Sequence, residues 1–147
     1  MVVFALACYV IVSLSGVWPP TSRKSIEVSV IRGRLLAFYI YEKRVFEERG
    51  EAGLVAAAGD WPSYLTEPFP VKMTIFPADG GKEPLRYYAF SPATVRARGI
   101  ADNAKDVPFG WVRKLTGISG RYVLFCDGTM ELLSEDEFAK LGVEGGR

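Results

Sequence analysis

The chain has 147 residues, 49% of them apolar or aromatic, with 18 basic and 17 acidic side chains, no histidine and a formal charge of +1. That length suits one domain, or a terminal segment plus a smaller domain, and the apolar content excludes a wholly disordered chain. Near-neutral charge excludes a molecule-wide pull towards nucleic acid or anionic lipid, and the missing imidazole excludes Ser-His-Asp and Cys-His chemistry within the chain.

The chain opens MVVFALACYVIVSLSGVWPP, with no charged side chain before Arg23. Val2 to Trp18 gives 17 nearly uninterrupted apolar residues, at the lower limit of about 17 for a helix that crosses a bilayer. Trp18 stands where an interfacial aromatic belongs, and Arg23-Lys24 supply a basic flank on one side only. The expectation is an N-terminal membrane anchor (1–22), single-pass, with the globular domain (23–147) on the cytoplasmic side. A cleaved signal would need a basic leader, which is missing, and the lipoprotein-like Ala5–Cys8 comes too early for an apolar stretch to precede it. The alternative is a cytoplasmic soluble protein in which Val2, Val3 and Tyr9 to Val12 form a covered central strand. Pro19-Pro20 ends either element.

Ile26, Val28 and Val30 alternate with Glu27 and Ser29, the period of a half-buried strand. With Arg32-Gly33 as a turn and Leu35 to Tyr41 as an apolar return, residues 26–41 are expected to form a β-hairpin. Glu42 to Gly59 is charged and then alanine-rich, a short helix interrupted by Gly50 and Gly53. A connector rich in proline and aromatics follows (59–70), then a second expected hairpin, VKMTIF and PLRYYAF around ADGGK. Ser91-Pro92 should cap and start a short helix that ends before Gly99. Trp111–Leu115 and Arg121–Cys126 are candidate strands. Asp127-Gly128 signals a two-residue turn that would put Val123, Phe125, Met130 and Leu132 on one inward face. Ser134 and Glu137 have capping-box spacing, and Phe138 and Leu141 would pack the resulting helix on the sheet. The expected fold is α+β and β-rich: antiparallel hairpins forming a small sheet or barrel-like domain with short helices, preceded by the apolar N-terminal segment.

Three patterns invite chemistry. ADGGKEP lacks the first glycine and the Ser/Thr of a phosphate loop, so turn chemistry accounts for it. Asp127, Thr129 and Glu131 have the opening rhythm of a calcium loop, but Leu132 and Phe138 stand where that loop needs glycine and glutamate. Between Lys82 and Arg121 basic residues outnumber acids, and Arg86, Tyr88, Arg96, Arg98, Trp111, Arg113, Lys114 and Arg121 interleave cations with aromatics as single-stranded nucleic acid binders do. Core burial of the aromatics and strand-edge charge would give the same interleaving. Cys8 and Cys126 are too far apart to frame a disulfide scaffold and suit small buried hydrophobes.

Nothing supplies a base, nucleophile and oxyanion site together, so a non-enzymatic protein is expected, with no cofactor and no metal. The leading expectation is a membrane-anchored accessory or adaptor protein whose β-rich domain meets a protein partner through Trp61, Tyr64 and Phe69 of the connector. The alternative is a soluble small β-domain that binds single-stranded nucleic acid through the basic-aromatic segment 82–122.

Overall fold

The computed structural model describes residues 23–70 and 84–143. Helix α1 runs over Arg23–Ala56, α2 over Ser63–Thr66 and a 3-10 turn over Pro84–Tyr87. Strand β1 (Tyr88–Phe90) leads into α3 (Ala93–Ala101), followed by β2 (Pro108–Val112), β3 (Arg121–Phe125), β4 (Met130–Leu133) and α4 (Glu135–Lys140). The four strands form one antiparallel sheet in the order β1-β2-β3-β4. The fold is α+β around a small sheet. Among the described residues no helix is long and apolar enough to cross a membrane; the expected anchor, residues 1–22, lies outside them.

The expected hairpin at 26–41 is instead the front half of α1. Period two among Ile26, Val28 and Val30 is a short local coincidence. Ile31, Leu35, Phe38, Glu42 and Val45 are all buried at spacings of four, three, four and three, which is the period of one helical face. Gly33, the proposed turn, sits inside the helix. The helix breaks its regularity at Gly50, whose φ of 71° and ψ of −173° are open to glycine alone, so that glycine kinks the element without ending it.

The other expected elements survive with shifted bounds and pairings. β1 pairs with β2, Tyr88 opposite Val112, while the first strand of the expected second hairpin (71–76) lies outside the described residues. Helix α3 forms where expected, but Ser91 does not cap it: its hydroxyl donates to the Pro108 carbonyl. Nor does Gly99 follow the helix. It lies within it, and its lack of a side chain answers to packing, since a Cβ there would stand 2.4 Å from Cys126 Sγ. The expected strand Trp111–Leu115 begins earlier, at Pro108, and ends at Val112.

The β3–β4 turn is one residue longer than its sequence signal. Phe125 N–H donates to Thr129 O, which leaves Cys126, Asp127 and Gly128 as a three-residue loop with Gly128 at φ 89°. Leu124 therefore lies opposite Met130 and Val123 opposite Glu131. The expected faces are re-sorted, since a one-residue slip exchanges sides on one strand relative to the other.

Both faces of the sheet are covered. On one side α1 and α3 bury Tyr88, Phe109, Val112, Leu124 and Cys126 with Ile31, Leu35 and Phe38. A register shift between Pro108 and Gly110 lets Phe109 join Val112 in this layer despite their odd spacing. On the other side α4 covers Trp111, Val123 and Phe125 with Phe138, and Leu141 packs at its margin. Full burial of a large apolar side chain such as Phe38 contributes about 1.5–3 kcal/mol. The capping box forms as expected: Ser134 Oγ accepts from Glu137 N–H, and the Glu137 carboxylate accepts from Ser134 N–H at 2.8 Å.

Candidate interaction surface

The charged groups that could serve chemistry are held first by structure. Glu42 leaves α1 into the core and meets Arg96 of α3 through two parallel bonds of 2.7 Å, Nε to Oε2 and Nη2 to Oε1. Their side chains are 2% and 6% exposed, so each charge depends on the other. Trp61 Nε1 adds a third donor to Glu42 at 3.3 Å, and Arg96 Nη1 donates to the Ser91 carbonyl. The Arg96 guanidinium also faces the rings of Phe90 and Phe109, each 5.7 Å from its centroid. This fork-to-fork geometry ties the long helix to α3. Arg34, also buried, donates from Nη1 to the carbonyls of Leu65 and Glu67 and lies 4.7 Å from the Phe69 ring, pinning α2 and its exit to α1.

Cys126 is enclosed by the same layer. Its thiol lies 4.0 Å from the Arg96 carbonyl, and burial pushes its pKa up to about 12, against the smaller opposing pull of Arg96. A thiol with so little thiolate at neutral pH is a packing group rather than a nucleophile. The neighbouring Tyr39 hydroxyl donates to the Cys126 carbonyl at 3.2 Å, and burial raises that phenol too. Tyr88 donates to the Ile31 carbonyl from a fully enclosed position, and burial raises its pKa well above the ordinary value.

The eight residues of the basic-aromatic set do not share a surface. Tyr88 and Arg96 lie on the α1 side of the sheet, buried, whereas Trp111 and Arg121 are buried on the α4 side. Arg121 contacts both carboxylate oxygens of Glu135, at 3.1 and 3.3 Å, over the Phe138 ring. Arg86, Arg98 and Lys114 are exposed and Arg113 is half-buried, so the outward members of the set are cations without its aromatics. Arg98 leans on Asp102 at 3.9 Å beside a shallow groove of ≈ 410 Å³ that also takes in Glu51 and Val107. Among the described residues no group of acids or cysteines is gathered as a metal site would require.

The connector aromatics divide as well. Trp61 packs edge-on against Phe38 at 4.9 Å and also meets Phe90, while Phe69 lies against Tyr87 and Tyr88. Both plug the rim of the core. Tyr64 is the exposed member, at 42%, beside Tyr41 and Arg44 of α1; burial raises its phenol, Tyr41 adds to the rise and Arg44 opposes it.

Sequence reasoning missed the surface next to Tyr64 because it assigned the wrong period to α1. Ile26, Val30, Gly33, Ala37, Ile40 and Arg44 recur at intervals of four and three, the spacing of a seam along one helical face. That face is turned away from the sheet. Ile26 is 40% and Ile40 is 55% exposed, whereas Ile31, Leu35 and Phe38 on the opposite face are fully buried. From Leu35 to Tyr41 the helix is apolar all round, an arrangement soluble helices reserve for burial on both sides, whereas Glu27, Arg32 and Arg34 interrupt the turns before it. The signal was present in the sequence as the apolar run Leu35 to Tyr41, which suggested the return strand of a hairpin. Beyond Ile40 the face turns charged, with Arg44 paired to Glu48 at 3.0 Å.

Comparison with known proteins gives no match: no family model fits the chain, and no curated protein or solved structure is significantly similar to it.

Proposed function

We propose that this chain is a non-enzymatic accessory or adaptor protein, held at a membrane by residues 2–18, whose α+β domain meets a protein partner on the cytoplasmic side. The partner surface is the outward face of α1, from Ile26 through Ile40, with Tyr64 at its far end. One observation carries this: isoleucines 40% and 55% exposed at the two ends of a heptad-spaced apolar stripe, on a helix whose other face is already buried. Structural use of Glu42, Arg96, Arg121 and Cys126 supports binding over catalysis, because none is left at hand for a reacting group.

Fractionation of the full-length chain tests the anchor. The expected result is sedimentation with membranes and release by detergent but not by salt. Recovery in the soluble phase without detergent overturns it. A photo-crosslinking residue at Ile40 tests the surface separately. It should give a discrete adduct with another protein, and the same group at the exposed Lys105 should not.

A further inference from the structure

Two segments gather at the first turn of α1. The loop after β2 is tied to it directly, because Lys24 Nζ donates to the Gly117 carbonyl. The 3-10 turn is tied to that loop, because Arg113 N–H donates to the Tyr87 carbonyl and Tyr88 lies opposite Val112. Residues 84–88 and 113–121 carry Arg86, Arg113, Lys114 and Arg121 and no acid. Arg121 is neutralised by Glu135. Lys24, Arg86 and Lys114 are exposed and Arg113 is half-buried, and among the described residues none of them pairs with a carboxylate. Leu85, 39% exposed, and the half-buried Ile118 stand among them.

The acids of this end are placed apart from these cations. Glu27 is buried, and Asp136 and Glu137 begin α4, on the other side of the sheet. Towards the far end of α1 the charges alternate and pair, Arg44 with Glu48 and Arg98 with Asp102, and Lys105 acts on Asp127. A net charge near zero thus hides one basic pole. Chain length adds a second constraint. Residues 19–22 separate Trp18, the end of the proposed anchor, from Arg23, at most about 18 Å of extended chain. Glu47 stands about 35 Å further along α1 than Lys24. The anchor would therefore hold the basic pole, and not the far end, beside the headgroups.

We propose that Lys24, Arg86, Arg113 and Lys114 form a contact surface for anionic lipid headgroups, which lays this pole of the domain on the membrane and points the Glu47 end away from it. The inference rests on the anchor proposed above and adds the lipid chemistry and the orientation. The cytoplasmic leaflet is anionic, and each lysine or arginine near its surface strengthens attraction about fivefold. Leu85 and Ile118 suit the apolar boundary beneath the headgroups. Single-stranded nucleic acid is the poorer ligand, because it needs aromatic faces for stacking, and the neighbouring Tyr87, Tyr88 and Trp111 are buried.

The test places the full chain in nanodiscs of phosphatidylcholine, with and without phosphatidylserine, that carry a gadolinium-chelating headgroup. With phosphatidylserine, amide relaxation should rise at Arg86, Lys114 and Thr116 and stay low at Asp102 and Asp127. Salt at about 0.5 M shortens the screening length to a few ångströms and should remove that rise. Arg86→Glu with Lys114→Glu changes two exposed side chains, so the amide shifts of the sheet should hold. The double variant should lose at least tenfold of the preference for anionic over neutral vesicles. Equal relaxation in both discs overturns the proposal, as does a larger effect at Asp102 or an unchanged preference in the double variant. Failure of the anchor reads differently, since the chain then stays out of neutral discs. In that case salt-sensitive sedimentation with anionic vesicles, lost in the double variant, upholds the headgroup contact, and no sedimentation overturns it. A stronger response of these loops to oligothymidylate than to anionic vesicles would mark a nucleic acid site and also overturn it.

Discussion

At the scale of single residues, the molecule depends on charges that cannot be removed one at a time. Arg96→Met leaves the Glu42 carboxylate in the core with Trp61 as its remaining donor among the described residues. That should cost about 3–5 kcal/mol in urea denaturation, and the double change Glu42→Met with Arg96→Met should recover most of it, because a packed apolar pair replaces a desolvated ionic one. Recovery would identify the pair as a device of register rather than of stability. Cys126 makes a second test. Its folded pKa is raised from 9.0 to about 12, so the unfolded chain loses this proton first as pH rises. The stabilising contribution is complete below pH 9.0 and is lost between there and pH 12, and alkaline unfolding should be shallower in Cys126→Ala. Peptide-resolved alkylation at pH 8 should modify Cys126 only as fast as the chain opens. Neither residue's role was legible locally, since Glu42 and Arg96 are 54 positions apart and only the helical period places Glu42 in line with Phe38 and Val45.

At the scale of elements, what the sequence made legible is what is decided within a few residues. The Ser134–Glu137 capping box follows from backbone needs that two side chains satisfy, and the start of α3 at Pro92 follows from the fixed backbone of proline. Residues 26–41 were illegible for a physical reason. A segment apolar on both sides carries little periodic contrast, and β-branched residues at its start mimic a strand until Phe38, Glu42 and Val45 extend the register. The three-residue loop at Cys126–Gly128 was missed because Asp-Gly suits both loop lengths, and the choice is made by pairing on either side. Gly50 gives the prediction at this scale. Its backbone lies in a region reserved for glycine, and a Cβ there would meet nothing within 4 Å. Gly50→Ala should therefore cost about 1–3 kcal/mol through backbone strain alone. A thermal melt reads the loss, and amide exchange in residues 51–56 should rise before that of the sheet.

At the scale of the whole molecule, the layers explain why one face of α1 stays outside the core among the described residues. The sheet is closed on one side by α4 and on the other by α1 and α3, and the aromatic set of Phe38, Trp61, Phe90 and Phe109 fills the space beneath α1. Among the described residues, Ile26 and Ile40 belong to neither core cluster. Exposed substitutions away from such features change stability within about 0.5 kcal/mol, so Ile26→Glu with Ile40→Glu should leave the urea midpoint nearly unchanged. Two carboxylates on the stripe would, however, have to be desolvated in any apolar interface, which blocks association strongly. The expected result is an unaltered fold and loss of the photo-crosslinked adduct, with sedimentation on membranes retained through residues 2–18. Loss of stability in the double variant would mean that the stripe is covered within the chain. Retention of the adduct would place the partner elsewhere on the domain. The three readouts separate the proposed anchoring, the folding and the proposed recognition because each draws on a different part of the molecule: the apolar leader, the sheet with its two covers, and the face of α1 that lies outside the core among the described residues.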